Sequence, residues 1–179
     1  MSSGDGLVVQ RVLSGDRKAY AEFIKKYERP IFNSVLRVVG DHDRAASITQ
    51  QAFVAAYEKL ESYDPTRRFY NWLFAIARNA CLNTIKHEKN NQILGDDLPA
   101  GDPSPEDRLL QGEETGQVHR ALASLVYEYR ILLVLRHYLD QSYAEMAVTV
   151  NLPESTVRSR LHRARSLLRD QLQDLGHTA

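Results

Sequence analysis

Apolar residues recur every three or four positions along most of this chain, which is the spacing of helices with one buried face. In the first half of the chain the repeat is interrupted at 15–16, 40–43 and 63–68. No stretch alternates apolar and polar residues as a half-exposed strand does. The pattern therefore predicts an all-α protein, whose helices in this half span 7–13, 17–39, 45–60 and 70–89.

The repeat stops between residues 94 and 114, where the composition changes. Three glycines and three prolines interrupt this segment. Such a composition is typical of an extended, mobile linker. We therefore predict two small helical domains, residues 1–93 and 115–179, joined by a flexible acidic linker at 94–114. The linker contains one base, Arg108, and seven acids, namely Asp96, Asp97, Asp102, Glu106, Asp107, Glu113 and Glu114.

The second domain contains the pattern of a helix-turn-helix between residues 142 and 172. Ser142 and Glu145 have the spacing of a capping box, in which each side chain bonds the other residue's backbone N–H. Asn151 tolerates the left-handed backbone of a sharp turn. Pro153 follows and cannot lie inside a helix, so a second helix is expected to start after it.

This second helix is expected to be capped by Ser155 or Thr156. One stripe of it is apolar and faces the core, whereas the opposite surface is basic. Five arginines lie between residues 158 and 169, and Asp170 is the acid beside them. A helix of this kind enters the major groove of DNA, although a merely solvated face is the simpler alternative. The stripe consists of Val157, Leu161, Ala164, Leu168 and Leu172, and the DNA-binding candidates are Arg158, Ser159, Arg160, His162, Arg163 and Arg165.

Composition restricts the other classes of function. The 23 basic and 23 acidic residues cancel, so positive charge for DNA must be local. Cys81 is the single cysteine and is expected to be a buried thiol, and the six histidines include no i,i+4 pair, so we expect no metal site. No nucleophile–base pair or phosphate-binding loop is visible, so we expect neither an enzyme nor a cofactor. With no secretory leader and no membrane-length apolar run, a cytoplasmic location is expected.

Each half of the chain contains one distinctive motif, FYNWLFAIARN at 69–79 in the first and STVRSRLHRAR at 155–165 in the second. With the flanking helices they resemble the extracytoplasmic function (ECF) σ factors over nearly the whole chain, except the linker and the extreme ends. The resemblance implies a promoter-selecting subunit of bacterial RNA polymerase. Its first domain would dock on the polymerase core and capture the −10 element, and its second would read the −35 element. Polymerase core and promoter DNA are therefore the expected partners.

The resemblance places −10 recognition in the loop 63–71 and on the helix that follows. Aromatic rings and amides there would hold a base taken out of the duplex. The alternative is that the rings form the core, which is the expected main role of Phe69, Trp72 and Phe74. The candidates for DNA contact are Tyr63, Arg67, Arg68, Tyr70, Asn71, Asn79 and Lys86.

The polymerase-docking helix departs from the family pattern. It usually reads like DAEDLVQEVF, whereas this chain reads RAASITQQAF at 44–53, so the acids are missing. Because charge-assisted contacts are among the strong ones, the unmodified chain is expected to bind polymerase weakly. The docking candidates are Ala46, Ser47, Gln50, Gln51 and Val54.

Two hydroxyls, those of Ser47 and Thr49, lie where the acids are missing. Phosphorylation of either would restore negative charge, which makes a Ser/Thr kinase a candidate partner. On an ideal helix Ser47 lies on the exposed side and Thr49 nearer the apolar stripe. The alternative is that both residues are plain helix positions, and a conventional anti-σ factor is the rival regulator.

The role of the linker acids is open: the resemblance implies that they imitate phosphates in polymerase channels, and the alternative is that they keep a tether soluble. Two alternatives remain open for the whole chain. The protein would be a regulator that binds DNA through its second domain alone, or a decoy that binds an anti-σ factor and never forms holoenzyme.

Overall fold

The computed structural model describes residues 4–92 and 113–176, with side chains described for 4–84 and 116–174. All regular structure in these residues is helical, which confirms the predicted class. The first part contains α1 (Gly4–Leu13), α2 (Tyr20–Val39), α3 (His42–Glu58) and α4 (Phe69–Gln92), with 3₁₀ turns at Arg17–Ala19 and Leu60–Ser62. The second part contains α5 (Glu113–Ala123), α6 (Tyr127–His137), α7 (Tyr143–Val150) and α8 (Glu154–Gly176).

Backbone contacts divide the chain into two compact units. The described parts of the first are 4–35 and 43–92, and those of the second are 36–42 and 113–176. The predicted linker lies mostly outside the described residues, although Glu113 and Glu114 already belong to α5. The extended linker predicted around the acids at 96–107 and the exact domain boundaries therefore remain predictions.

Stacked aromatic rings form the centre of the first unit. Phe23 of α2 and Phe69 of α4 lie face to face, with ring centroids 3.8 Å apart and planes 6° from parallel. Both are fully buried, as is Phe74, which confirms the core role expected for these phenylalanines. Trp72 is half-buried and packs on Phe69 and Tyr63. Ring packing of this kind adds to the free energy of area burial and so fixes α4 against α2.

The carboxylate of Asp5 attaches the start of α1 to α2. Asp5 accepts hydrogen bonds from Lys26 Nζ at 2.6 Å and from Tyr27 Oη at 2.7 Å. The Asp5 hydrogen bond raises the pKa of Lys26 to about 12, so this lysine stays charged over the physiological range.

The second unit buries α6 beneath α8. Residues 131–135 of α6 are all buried, and Met146 of α7 joins them. Val157, Leu161 and Ala164 face this core fully, whereas Leu168 and Leu172 are half-buried, so the predicted stripe faces inward along α8.

The ends of α7 confirm the sequence prediction, but the start of α8 does not. Ser142 N donates to Glu145 Oε2 at 2.7 Å and Glu145 N donates to Ser142 Oγ at 3.2 Å, completing the capping box. Asn151 has the left-handed φ of 53°. The cap predicted at Ser155 or Thr156 is wrong, because α8 already begins at Glu154. Proline fits the position before the first helical residue, where its missing N–H costs nothing, so the helix starts two or three residues earlier than those caps would place it.

Among the described residues, no helix combines the length and the apolar character needed to cross a bilayer.

Candidate nucleic-acid and protein-docking sites

The outer surface of α8 is a cationic face. Its inner stripe is buried in the second unit, so helical geometry directs the intervening residues to solvent. Arg160 is half-buried and the other candidates are exposed, namely Arg158, Ser159, His162, Arg163 and Arg165. The structure thus brings together all six residues predicted to read DNA.

The guanidinium of Arg158 has two neighbours that sequence reasoning did not include. It lies over the ring of Tyr143, 4.6 Å from the centroid, and its Nη2 pairs with Glu154 one turn earlier. Arg136 lies over the same ring at 5.7 Å. The Glu154–Arg158 pair could have been predicted from its i,i+4 spacing. The contacts of Tyr143 could not, because they join different helices.

Arg136 is itself held by the turn between α6 and α7. Its Nη1 donates to the carbonyl of Gln141 at 2.9 Å. Gln141 is 1% exposed, and its Oε1 accepts from Thr149 Oγ1 at 3.0 Å. A buried polar side chain with such partners fixes the turn, so Arg136 extends the cationic face at a defined position.

His137 adds a titratable group to this face. Its pKa lies below the usual value, first because partial burial disfavours the imidazolium and then because Arg165 and Arg136 repel it. Arg130, by contrast, is a structural residue of this unit. Its Nη2 donates to the carbonyls of Ala123 and Leu125 at 2.8 and 2.7 Å, and burial lowers its pKa.

Tyr63 in the loop before α4 and Tyr70 in the first turn of α4 are both held against the protein. Tyr63 is 6% exposed, and its hydroxyl donates to the carbonyl of Arg67 at 2.6 Å. Tyr70 is half-buried, and its hydroxyl pairs with Ser34 Oγ at 2.7 Å. Tyr63 therefore lies in the aromatic core. The base contact predicted for it would require the loop to rearrange. Arg67 and Arg68 are exposed.

The remaining −10 candidates lie on α4. Asn71 is half-buried, whereas Asn79 is exposed and its Oδ1 accepts from Arg78 Nη1 at 3.3 Å. The side chain of Lys86 lies outside the described residues. Of the two amide candidates, Asn79 is therefore the more open to a nucleic acid.

The positions of α3 predicted to dock on polymerase carry no carboxylate, although Asp43 and Glu58 are exposed nearer the two ends of the helix. Of these positions, Ser47, Gln50, Gln51 and Val54 are exposed, and Ala46 is half-buried. Gln51 Nε2 donates to Ser47 Oγ at 3.1 Å, and Val54 is 61% exposed. The docking candidates therefore share one surface, whose chemistry is amide, hydroxyl and methyl.

Thr49 lies beneath this surface. It is 4% exposed, and its Oγ1 donates to the carbonyl of Ala45 at 2.7 Å. The exposure predicted for Ser47 and the burial predicted for Thr49 are thus both confirmed. An open groove of about 250 Å³ passes beside the threonine and is lined by Glu28, Arg29, Phe32, Ala46, Thr49 and Gln50.

Comparison with known proteins covers both units. Residues 23–91 match the family described as Sigma-70 region 2, and residues 115–168 match Sigma-70, region 4. The chain is 30% identical to ECF RNA polymerase sigma factor SigW of Bacillus subtilis, over 93% of this chain and 96% of that protein. It is 32% identical to RNA polymerase sigma-H factor of Pseudomonas aeruginosa, over 96% and 95%. The chain belongs to the ECF σ factors.

The fold of this σ factor agrees with that assignment. The structure of the sigma factor RpoE in complex with the anti-sigma factor NepR from Bartonella quintana superposes with a TM-score of 0.75 at 20% identity, covering 87% of this chain and 98% of that one. Region 2 of this ECF σ factor contains α3, the loop and α4 as far as residue 91, and region 4 contains all six candidates on α8. Among the described residues, no cluster of His, Cys, Asp or Glu is arranged to bind a metal ion.

Proposed function

We propose that this ECF σ factor directs promoter-specific initiation by bacterial RNA polymerase, with α3 docking on the polymerase core. The loop and α4 capture the −10 element, and α8 reads the −35 element. The observation that carries this proposal is the exposed cationic face of α8 on a helix whose opposite stripe is buried. Arginine side chains so presented suit bidentate contact to guanine and pairing with phosphates.

We further propose that phosphorylation of α3 switches polymerase docking on. The exposed face of α3 has no carboxylate at 46, 47, 50, 51 or 54. A phosphate adds about −1.5 to −2 charges and three acceptor oxygens, which is close to what two carboxylates supply. A Ser/Thr kinase is then the upstream partner.

The two hydroxyls have different support as phosphate acceptors. Ser47 is exposed and is bonded only to the flexible side chain of Gln51, so a kinase reaches it without unfolding α3. Thr49 is buried and bonded to Ala45, but it opens onto a groove that Arg29 lines. A phosphate on Thr49 would have a cation nearby, although the helix must first open. The accessible Ser47 is therefore the preferred acceptor, and Thr49 is the alternative.

In vitro transcription with purified core polymerase tests both proposals. Unmodified protein is expected to transcribe a selected promoter weakly, and protein phosphorylated by a Ser/Thr kinase to transcribe it strongly. Polymerase pull-down should follow the same order. Ser47→Ala should abolish the gain and Thr49→Ala should retain it, while Ser62→Ala, exposed outside the docking face, is the matched control. Full polymerase affinity of the unmodified chain, with no gain from phosphate, would refute the switch and leave the σ function standing.

The missing acids also favour a second function. A chain that cannot dock on polymerase would act as a DNA-binding regulator or as a decoy for an anti-σ factor. These alternatives share one outcome in the same experiment, namely no promoter-specific transcript in any modification state.

A further inference from the structure

We propose that Tyr143 and Glu154 are positioning residues that hold Arg158 in the orientation in which it reads a base. This inference rests on the proposed reading of the −35 element by α8. It concerns two residues that do not belong to the basic surface. Tyr143 is the first residue of α7, and Glu154 is the first residue of α8.

The geometry restrains the guanidinium from two sides. Its carbon lies 4.6 Å from the centroid of the Tyr143 ring, within the range of a cation–π contact. Nη2 of the same group pairs with the Glu154 carboxylate. A long side chain with 60% of its surface exposed would otherwise sample many rotamers. These two contacts reduce that freedom before DNA arrives.

The platform beneath Arg158 is itself rigid. Tyr143 directly follows Ser142, the N-cap of α7, whose capping box is complete. Arg136, held by the buried turn at Gln141, contacts the same ring. The ring is therefore held by elements outside α8. Because its position is fixed, it restrains the guanidinium of Arg158 on α8.

The two restraints have different electrostatic consequences. The Tyr143 ring orients Arg158 without changing its charge, whereas Glu154 also offsets that charge. An offset cation contributes less to sequence-independent phosphate binding. Together they direct Arg158 toward base discrimination rather than toward general affinity.

Binding of the full-length protein to two duplexes tests this role. The first duplex is selected by the wild-type chain from a random-sequence pool, and the second is the same duplex scrambled. The ratio of their affinities measures discrimination. Tyr143→Leu is expected to lower the ratio about two- to fivefold without changing affinity for the scrambled duplex. Tyr143→Phe, which retains the π face, should keep the wild-type ratio.

Glu154→Gln gives an independent readout. It should raise affinity for the scrambled duplex, because a negative charge is removed near phosphates, and at the same time lower the ratio. Arg158→Ala should lower the ratio about tenfold, and adding Tyr143→Leu to it should lower the ratio no further.

The outcomes separate this inference from the proposed function. Equal losses on both duplexes for Tyr143→Leu, or the same loss for Tyr143→Phe, would overturn the positioning role while Arg158→Ala still confirmed base reading. An unchanged ratio for Arg158→Ala would overturn both. Thermal unfolding of each variant checks that α7 and α8 remain folded.

Discussion

The hydroxyl of Thr49 donates a 2.7 Å hydrogen bond to the carbonyl of Ala45, one turn earlier in α3. Ser47, two residues away, faces solvent on the surface proposed to dock on polymerase. The two hydroxyls thus differ in access, although phosphorylation of either would add negative charge to α3. A modification at Ser47 adds charge to the surface, whereas one at Thr49 must first break a buried bond.

This difference predicts opposite effects of a carboxylate on stability. Thr49→Glu should lower the free energy of unfolding by about 2–4 kcal/mol, because it places a carboxylate at a buried position and removes the hydrogen bond to Ala45. Ser47→Glu should change it by no more than about 0.5 kcal/mol, as is usual at an exposed site. Urea unfolding followed by Trp72 fluorescence measures both in the first unit. Equal stability of the two variants would show that residue 49 turns readily to solvent.

The cationic face predicts a division of roles between two arginines. Arg163→Ala should cost about 1–3 kcal/mol on the cognate −35 site and relax the base preference there. Arg165→Ala should weaken all duplexes alike and reduce the dependence on salt, because it removes a phosphate contact. Affinity measurements on cognate and single-base variant duplexes at several salt concentrations distinguish these results. Equal, sequence-independent losses from both changes would contradict the division.

The exposed amide on α4 predicts a defect in strand opening. Asn79→Ala should impair −10 recognition in holoenzyme and leave binding of duplex −35 DNA intact, because the two sites lie in different regions. Permanganate footprinting of the open complex reports the unpaired thymines. Asn83→Ala, exposed one turn further along α4, is the matched control. Unchanged thymine reactivity in the Asn79 variant would count against this residue as a −10 contact.

His137 predicts a loss of stability in mild acid. Its lowered pKa means that the folded state binds a proton less readily than the unfolded chain, whose histidine titrates near pH 6.5. Its contribution to stability is therefore complete above about pH 6.5 and is lost as the pH falls through the folded pKa.

Melting temperatures between pH 7.5 and pH 5 test this sign. The melting temperature of His137→Gln should fall less than that of wild type as the pH is lowered. Arg165→Gln should flatten the decline less, since it removes only one of the two repelling cations. A decline identical in all three proteins would show that His137 does not titrate as its surroundings require.

Cys81 predicts chemical inertness of the native protein. It is fully buried in α4, and burial raises its pKa to about 12, so the reactive thiolate is scarce. A maleimide should label it slowly in buffer and rapidly in denaturant. Rapid labelling of the native protein would contradict this expectation and indicate that α4 opens locally.

Local sequence determined the helical class, the helix-turn-helix and the two faces of α8. Each depends on neighbours within one or two turns, such as Ser142 with Glu145, so spacing alone predicts it. The same holds for Ser47 and Thr49, because helical periodicity places the first outward and the second inward.

Only the tertiary structure decided where the tyrosines point and what restrains Arg158 on α8. Tyr63 was predicted to contact DNA, but Phe69 and Trp72 enclose it in the core. Tyr143 carried no motif, yet its ring lies against Arg158 of the next helix. These contacts join residues on separate elements, whose approach is set by the packing of whole helices, and no periodicity along the chain encodes that packing.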